Sequence, residues 1–295
     1  MNRQTIRARA IALYDRFTHE HLDRRAFMAE LVALAGSAAA ANALLTTIAA
    51  DPARAALTDP DDKRLVIRKG AYALPGHDGE MKGYFASPRA KGKKLPAVMV
   101  IHENRGLNAH IEDVARRLAL EGFFVCAPDF LSIKGGTPPD EDHARALMAE
   151  LHYPDVVAQA IGTLARLKKL DNTNGKAGLI GFCWGGALVD RVLIEPDSPA
   201  DAGVSYYGMA PSPEDASKLR APLLMHLAGN DTRVNATAAP WAEALKRAGK
   251  PAEAFTYPGV DHAFNNDSST ARYNKAAADL AWDRTIAFLR KHLAG

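Results

Sequence analysis

The run Gly181-Phe182-Cys183-Trp184-Gly185-Gly186 sets a cysteine between two glycines. This is the spacing of a nucleophile on a tight strand-to-helix turn, with sulfur where many such turns carry a serine oxygen. A nucleophile held there takes a strained backbone conformation, and a side chain at either flanking glycine would collide with the neighbouring turn. The helix that follows points the positive end of its dipole at the sulfur. An acid and a histidine come later in that order: Asp231 in Gly229-Asn230-Asp231, and His262 in Asp261-His262-Ala263-Phe264. A thiol, a general base and a carboxylate that orients the imidazole make a nucleophilic triad. Each residue also has a plainer reading, as a buried structural cysteine, a turn-capping aspartate and a loop histidine. Their order and their strand context together favour the triad.

The elements needed to position these groups are legible nearby. Ala97–Ile101 is a continuous apolar run of the kind found in strands covered on both faces. Phe123–Ala127, Ala177–Phe182, Gly203–Tyr207, Leu223–Ala228 and Ala252–Tyr257 read as further strands. Helical patterns run over Asn108–Glu121, Asp155–Leu170, Gly186–Ile194, Ala238–Ala248 and Tyr273–Leu293. This alternation predicts an α/β fold, a doubly wound and mainly parallel sheet with helices on both faces and no large lid. Ligands in such sheets lie beyond the carboxyl ends of the strands, where Cys183, Asp231 and His262 are expected.

The constellation resembles the dienelactone hydrolase family over roughly Leu65–Leu293. Four motifs carry the resemblance: His102-Glu103-Asn104-Arg105-Gly106 after the first parallel strand, Ala127-Pro128-Asp129 after the next, the turn at Cys183, and the loops bearing Asp231 and His262. The resemblance implies an α/β-hydrolase fold and hydrolysis of a small ester or lactone without a cofactor. It also implies that Glu103 contacts the resting thiol and accepts its proton when substrate binds. The backbone N–H groups of Asn104 and Trp184 would form the oxyanion hole. Tyr206, Tyr207 and Phe264 would line the mouth of the site beside Trp184, and Arg105, Arg145 or Arg233 could supply a cation for an acidic substrate. The stretch after His262, Phe264-Asn265-Asn266-Asp267, holds no arginine until Arg272, so an ester or lactone in general is the expectation, not dienelactone in particular. The same triad would also serve a thioesterase or an acyltransferase. A different class of reading is a non-catalytic, ligand-binding or redox-sensing member of the fold.

Other chemistries find little purchase. His102-Glu103 opens like a zinc motif, but Gly106 stands where the second histidine would be, so no metal is expected. Neither a phosphate-binding nor a dinucleotide-binding glycine motif is present. Lys and Arg number 37 against 34 Asp and Glu, a formal charge of +3, too small to hold nucleic acid by electrostatics alone. The expected partner is a small molecule.

The first 56 residues differ from the rest. Arg24-Arg25-Ala26-Phe27-Met28 precedes an Ala-rich stretch over Leu31–Ala50, and Ala53-Arg54-Ala55 offers a small-residue cleavage site before Ala56. This order reads as a twin-arginine export signal over 1–56, ahead of a hydrolase domain over 57–295, and predicts a periplasmic protein. An uncleaved anchor and an ordinary N-terminal helix are the alternatives. Asp59-Pro60-Asp61-Asp62 reads as the entry linker. Of the two cysteines, Cys126 falls in a predicted buried strand, where inert packing is expected.

Overall fold

The computed structural model describes residues 3–20, 22–49, 57–73, 79–89 and 92–294. Eight strands form one sheet: β1 (Leu65–Ala73), β2 (Glu80–Pro88), β3 (Leu95–Ile101), β4 (Phe124–Pro128), β5 (Thr173–Phe182), β6 (Ala202–Tyr206), β7 (Leu223–Ala228) and β8 (Ala252–Tyr257). Their spatial order is β1-β2-β4-β3-β5-β6-β7-β8. β1–β2 and β2–β4 pair antiparallel, and the remaining neighbours are parallel. The expected α/β-hydrolase architecture is therefore present, with an antiparallel ribbon added at one edge. That ribbon escapes the sequence pattern because β1 is mostly exposed and lacks a clean alternation.

The sheet core follows from the apolar runs. β6 and β7 are buried along their whole length. α4 (Ala109–Leu120) and α9 (Lys275–Leu293) press Ile111, Val114, Leu118, Ile286 and Leu289 onto one face. α6 (Tyr153–Lys168), α7 (Trp184–Ile194) and α8 (Thr232–Arg247) press Val156, Leu164, Leu188, Val192 and Trp241 onto the other. A further helix, α5 (Glu141–Ala149), sits beside the β4 end. The helix starts are marked by side-chain caps. Asn108 accepts from Ile111 N–H at 3.2 Å, and Asn274 from Ala277 N–H at 3.0 Å. α8 begins six residues before its apolar pattern does, because Asp231 caps it through Val234 N–H at 3.0 Å.

The segment expected as a leader forms three helices, α1 (Arg3–His19), α2 (Arg24–Ala35) and α3 (Ala38–Ile48). The arginine pair opens α2, capped by Asp23 on Arg25 N–H and Ala26 N–H. Ser37 caps α3 through Ala40 N–H. The arm builds its own apolar cluster from Ile11, Tyr14, Phe17, Phe27, Leu31 and Ile48, joined by Ala271 from the loop after β8. Among the described residues no single helix is long and apolar enough to cross a membrane; α2 and α3 together would be, but they meet at 109°. The small-residue cleavage motif at 53–55 lies outside the described residues. The entry linker is described, and Thr58 beside it docks on Asp113 of α4 through its N–H at 2.8 Å and hydroxyl at 2.6 Å.

Candidate active site

Cys183 stands between β5 and α7 with φ +54° and ψ −110°. The local sequence permits this conformation for a steric reason. A Cβ on Gly181 would lie 2.0 Å from the Gly185 carbonyl oxygen, and one on Gly185 would lie 2.5 Å from that of Ile101. Only glycine fits at either position. Tyr207 (φ +41°) and Ala263 (φ +63°), which follow β6 and β8, also adopt the left-handed region. These three non-glycine residues all lie at the carboxyl end of the sheet, where backbone strain is concentrated around one point.

Asp231 performs two tasks. One carboxylate oxygen caps α8, and the other lies 2.5 Å from Nδ1 of His262. That contact assigns the Nδ1 proton to the donor role and leaves the buried Nε2 on the side of Cys183. Burial opposes a charged imidazole at His262, yet the charge of an ionised Cys183 and the Asp231 carboxylate outweigh it and raise its pKa to about 10, so the imidazole holds the proton once the sulfur has given it up. Burial likewise works against a charged Asp231, and the hydrogen bond and charge of His262 more than compensate, leaving it below the ordinary value.

Glu103 lies in the turn after β3, buried. Burial alone would raise its pKa, but the fields of His110, Arg105, Arg272 and His262 hold it down as a carboxylate. It accepts from Asn266 Nδ2 at 2.9 Å and from the Tyr207 hydroxyl at 3.5 Å. Its expected contact with the resting thiol is not among these bonds. The hydrogen-bond partner of Cys183 Sγ is instead His19 Nε2, at 3.2 Å, from the end of α1. The turn itself is pinned by His102, whose Nδ1 lies 2.7 Å from Glu103 O and whose Nε2 accepts from Phe130 N–H at 3.2 Å. Asp129, from the second family motif, accepts from Leu131 N–H, Thr137 N–H and the Thr137 hydroxyl, and so fixes the loop that walls this turn.

Trp184 is the first residue of α7, so its N–H has no acceptor within the helix. Its indole stacks on His102 at 5.5 Å and 11°. Asn104 occupies the β3 turn, and its side chain donates to Thr18 O at 3.0 Å.

A cavity of about 600 Å³ opens above Cys183. Its walls include Asn104, Trp184, Tyr207, Arg145 and Arg233 from the sheet domain, and Phe17, Thr18, His19 and Leu22 from the arm. Three expected pocket residues are elsewhere. Tyr206 is fully buried in the core beneath α9 and hydrogen-bonds Thr285 Oγ1 at 2.7 Å. Phe264 is fully buried, packed on Tyr207 and Tyr257. Arg105 is buried against the arm, bound to the Tyr14 hydroxyl at 2.5 Å and to Glu141 at 3.4 Å.

His19 is the residue that sequence reasoning missed. Ile11, Tyr14, Phe17 and Thr18 recur at helical spacing and mark a docking face, but nothing in the spacing relates position 19 to position 183. The ligand atoms of His19, Cys183 and His262 lie within 4.8 Å of one another, an arrangement that could hold a soft cation. A cation seated there would occupy the sulfur lone pair that attacks an ester, and so would act as an inhibitor. Cys126 is free, buried in β4, and pushed up to about 12 by burial, as suits an inert packing thiol.

Comparison with known proteins identifies the family and the fold. The sequence pattern of the Dienelactone hydrolase family matches residues 81–293. A Salmonella typhi protein provisionally named carboxymethylenebutenolidase is 31% identical over 77% of this chain and 88% of its own length. An Escherichia coli K12 protein of the same provisional name is 30% identical over 87% of this chain and 95% of its own. The crystal structure of a Klebsiella pneumoniae protein, provisionally a dienelactone hydrolase, superposes with TM-score 0.67 at 27% identity, covering 77% of this chain and 99% of that one. Sequence pattern, relatives and fold thus converge, and the chain belongs to the dienelactone hydrolase family, as an ester or lactone hydrolase on the α/β-hydrolase fold.

Proposed function

We propose that the enzyme cleaves its ester or lactone through a thioester on Cys183, with His262 as the base and Asp231 as the group that orients it. The observation that carries this reading is the 2.5 Å contact between Asp231 and His262 Nδ1, which leaves the other ring nitrogen for Cys183, whose sulfur lies within 4.8 Å of the imidazole. The thiol proton passes to His262 Nε2, and the sulfur attacks the carbonyl carbon. The oxyanion is received by the N–H groups of Trp184 and Asn104. His262 returns the proton to the departing alkoxide, then takes one from water as hydroxide adds to the thioester; the carbon–sulfur bond breaks, the acid leaves, and the Cys183 thiolate recovers the proton from His262. Glu103, a buried carboxylate beside Tyr207, stabilises the imidazolium that forms in both half-reactions.

The cavity suits a small substrate. Arg145 and Arg233 on its wall offer cations to an acidic group, the feature that the provisional name of the relatives would require. The test is a panel of aryl esters and small lactones, with and without a carboxylate, run on wild type and Cys183→Ala. The variant is expected to lose turnover by about 10³-fold or more. Unchanged turnover in Cys183→Ala would refute the proposal.

A further inference from the structure

We infer that His19 is a catalytic residue, delivered to the nucleophile by an N-terminal helical arm that the working enzyme retains. The inference rests on Cys183 being the nucleophile, and its test separates the two claims. His19 Nε2 lies 3.2 Å from Cys183 Sγ, and its ring meets that of His262 edge-on at 4.9 Å. Two imidazoles therefore address one sulfur.

The second imidazole is held as firmly as the first. Nδ1 of His19 lies 2.9 Å from both the Asp15 carbonyl and the Thr18 hydroxyl. One of these partners only accepts, and the other can donate. With its proton on Nδ1, the ring donates to Asp15 O and Nε2 accepts from the S–H. With its proton on Nε2, the ring donates to the thiolate and Nδ1 accepts from Thr18. In the second tautomer the same Nε2–H donates to the sulfur before and after His262 removes the thiol proton, so the bond persists with no proton moved on His19 and without its becoming charged. Burial, then the charges of His262, Arg233 and Arg272 facing it, keep it neutral despite the Asp15 carbonyl. As the carbon–sulfur bond forms, the sulfur loses its charge and this bond weakens, so its stabilisation is confined to the reactive thiolate.

The arm is bound to the loops that build the site. Asn104 holds Thr18 O, Arg105 holds the Tyr14 hydroxyl, and Arg272 lies over the Tyr14 ring at 5.2 Å. At the far end of the arm, Ala271 N–H and the Ser269 hydroxyl donate to Thr47 O and Ile48 O at 2.9 and 2.6 Å. Arg105 and Arg272 are buried, so removing the arm would strip both of partners. Cleavage after Ala55 would discard His19.

The experiment uses the full chain. His19→Ala, His19→Gln and Cys183→Ala are assayed on p-nitrophenyl acetate, alongside the pH dependence of iodoacetamide labelling of Cys183, melting temperature, and intact mass of the active protein. His19→Ala is expected to lose roughly 10- to 100-fold in kcat, with the labelling profile moved to higher pH, recovery in His19→Gln, and rescue by added imidazole. Wild-type kcat and labelling profile in His19→Ala, with Cys183→Ala inactive, would overturn the role of His19 alone. Equal losses in both His19 variants, with lowered melting temperature and no imidazole rescue, would reduce it to a structural residue and overturn the inference. Active protein whose mass lacks the first 55 residues would do the same. Turnover in Cys183→Ala would remove the reading on which the inference rests.

Discussion

The turn at Cys183 and the N-terminal arm meet at one sulfur, yet they are built by different means. The turn is fixed by backbone crowding: Gly181, Gly185 and Gly186 leave no room for a Cβ, and the strained Cys183 follows from packing at the buried ends of β3, β5 and β6. The arm is fixed by side chains, a small apolar cluster and a few bonds from arginines and carbonyls at the rim of the site. The first kind of construction admits almost no variation. The second can be weakened in steps, because each contact contributes separately.

Substitutions that separate the two constructions test the contrast. The largest effect belongs to Gly181→Ala, which places a methyl group 2.0 Å from the Gly185 carbonyl oxygen. Turnover should vanish and the whole domain should lose about 3 kcal/mol or more in denaturant unfolding. A stable, active Gly181→Ala protein would show that the turn has more freedom than its packing suggests. Phe27→Ala acts on the arm, where the ring is buried and stacked on Phe17 at 4.4 Å. It should cost about 3 kcal/mol of arm docking. Hydrogen exchange should then report lost protection in α1–α3 while β3, β5 and β7 keep theirs; uniform loss across the sheet would mean that arm and sheet unfold as one unit.

The effect that moves activity least is a slope in stability. Asp190, on α7 behind the turn, is fully buried with the Ser205 hydroxyl at 3.2 Å, and burial raises its pKa from the ordinary 3.8 to about 8 despite that bond. The folded protein keeps a proton there that the unfolded chain has released. Stability should therefore fall as pH rises from 3.8 towards 8, by about 1.4 kcal/mol per unit from this group. Asp190→Asn should flatten that part of the pH–stability curve and leave the arm untouched. An unchanged slope would place the responsible group elsewhere.

The sheet was readable because its signals are local. Apolar runs such as Ala97–Ile101 announce buried strands, and the glycines around Cys183 announce a turn that no side chain could enter. The order of Cys183, Asp231 and His262 then follows the order of the strands that carry them. The pocket was less legible. Whether Tyr206 or Tyr207 faces the cavity depends on a single left-handed residue at the end of β6, which alternation alone does not foretell. Arg105 reads as a cavity cation until the arm is present to bind it. His19 was out of reach because its partner lies 164 positions away and the residues around it suit an export signal equally well.

The central claim, a thioester on Cys183, is tested most directly by the covalent intermediate itself. Wild-type protein mixed with p-nitrophenyl acetate and quenched in acid within the first turnover should carry one acetyl group, located by peptide mass spectrometry at Cys183 and absent from Cys183→Ala. An acetyl group on another side chain, or turnover in Cys183→Ala at the wild-type rate, would contradict the account.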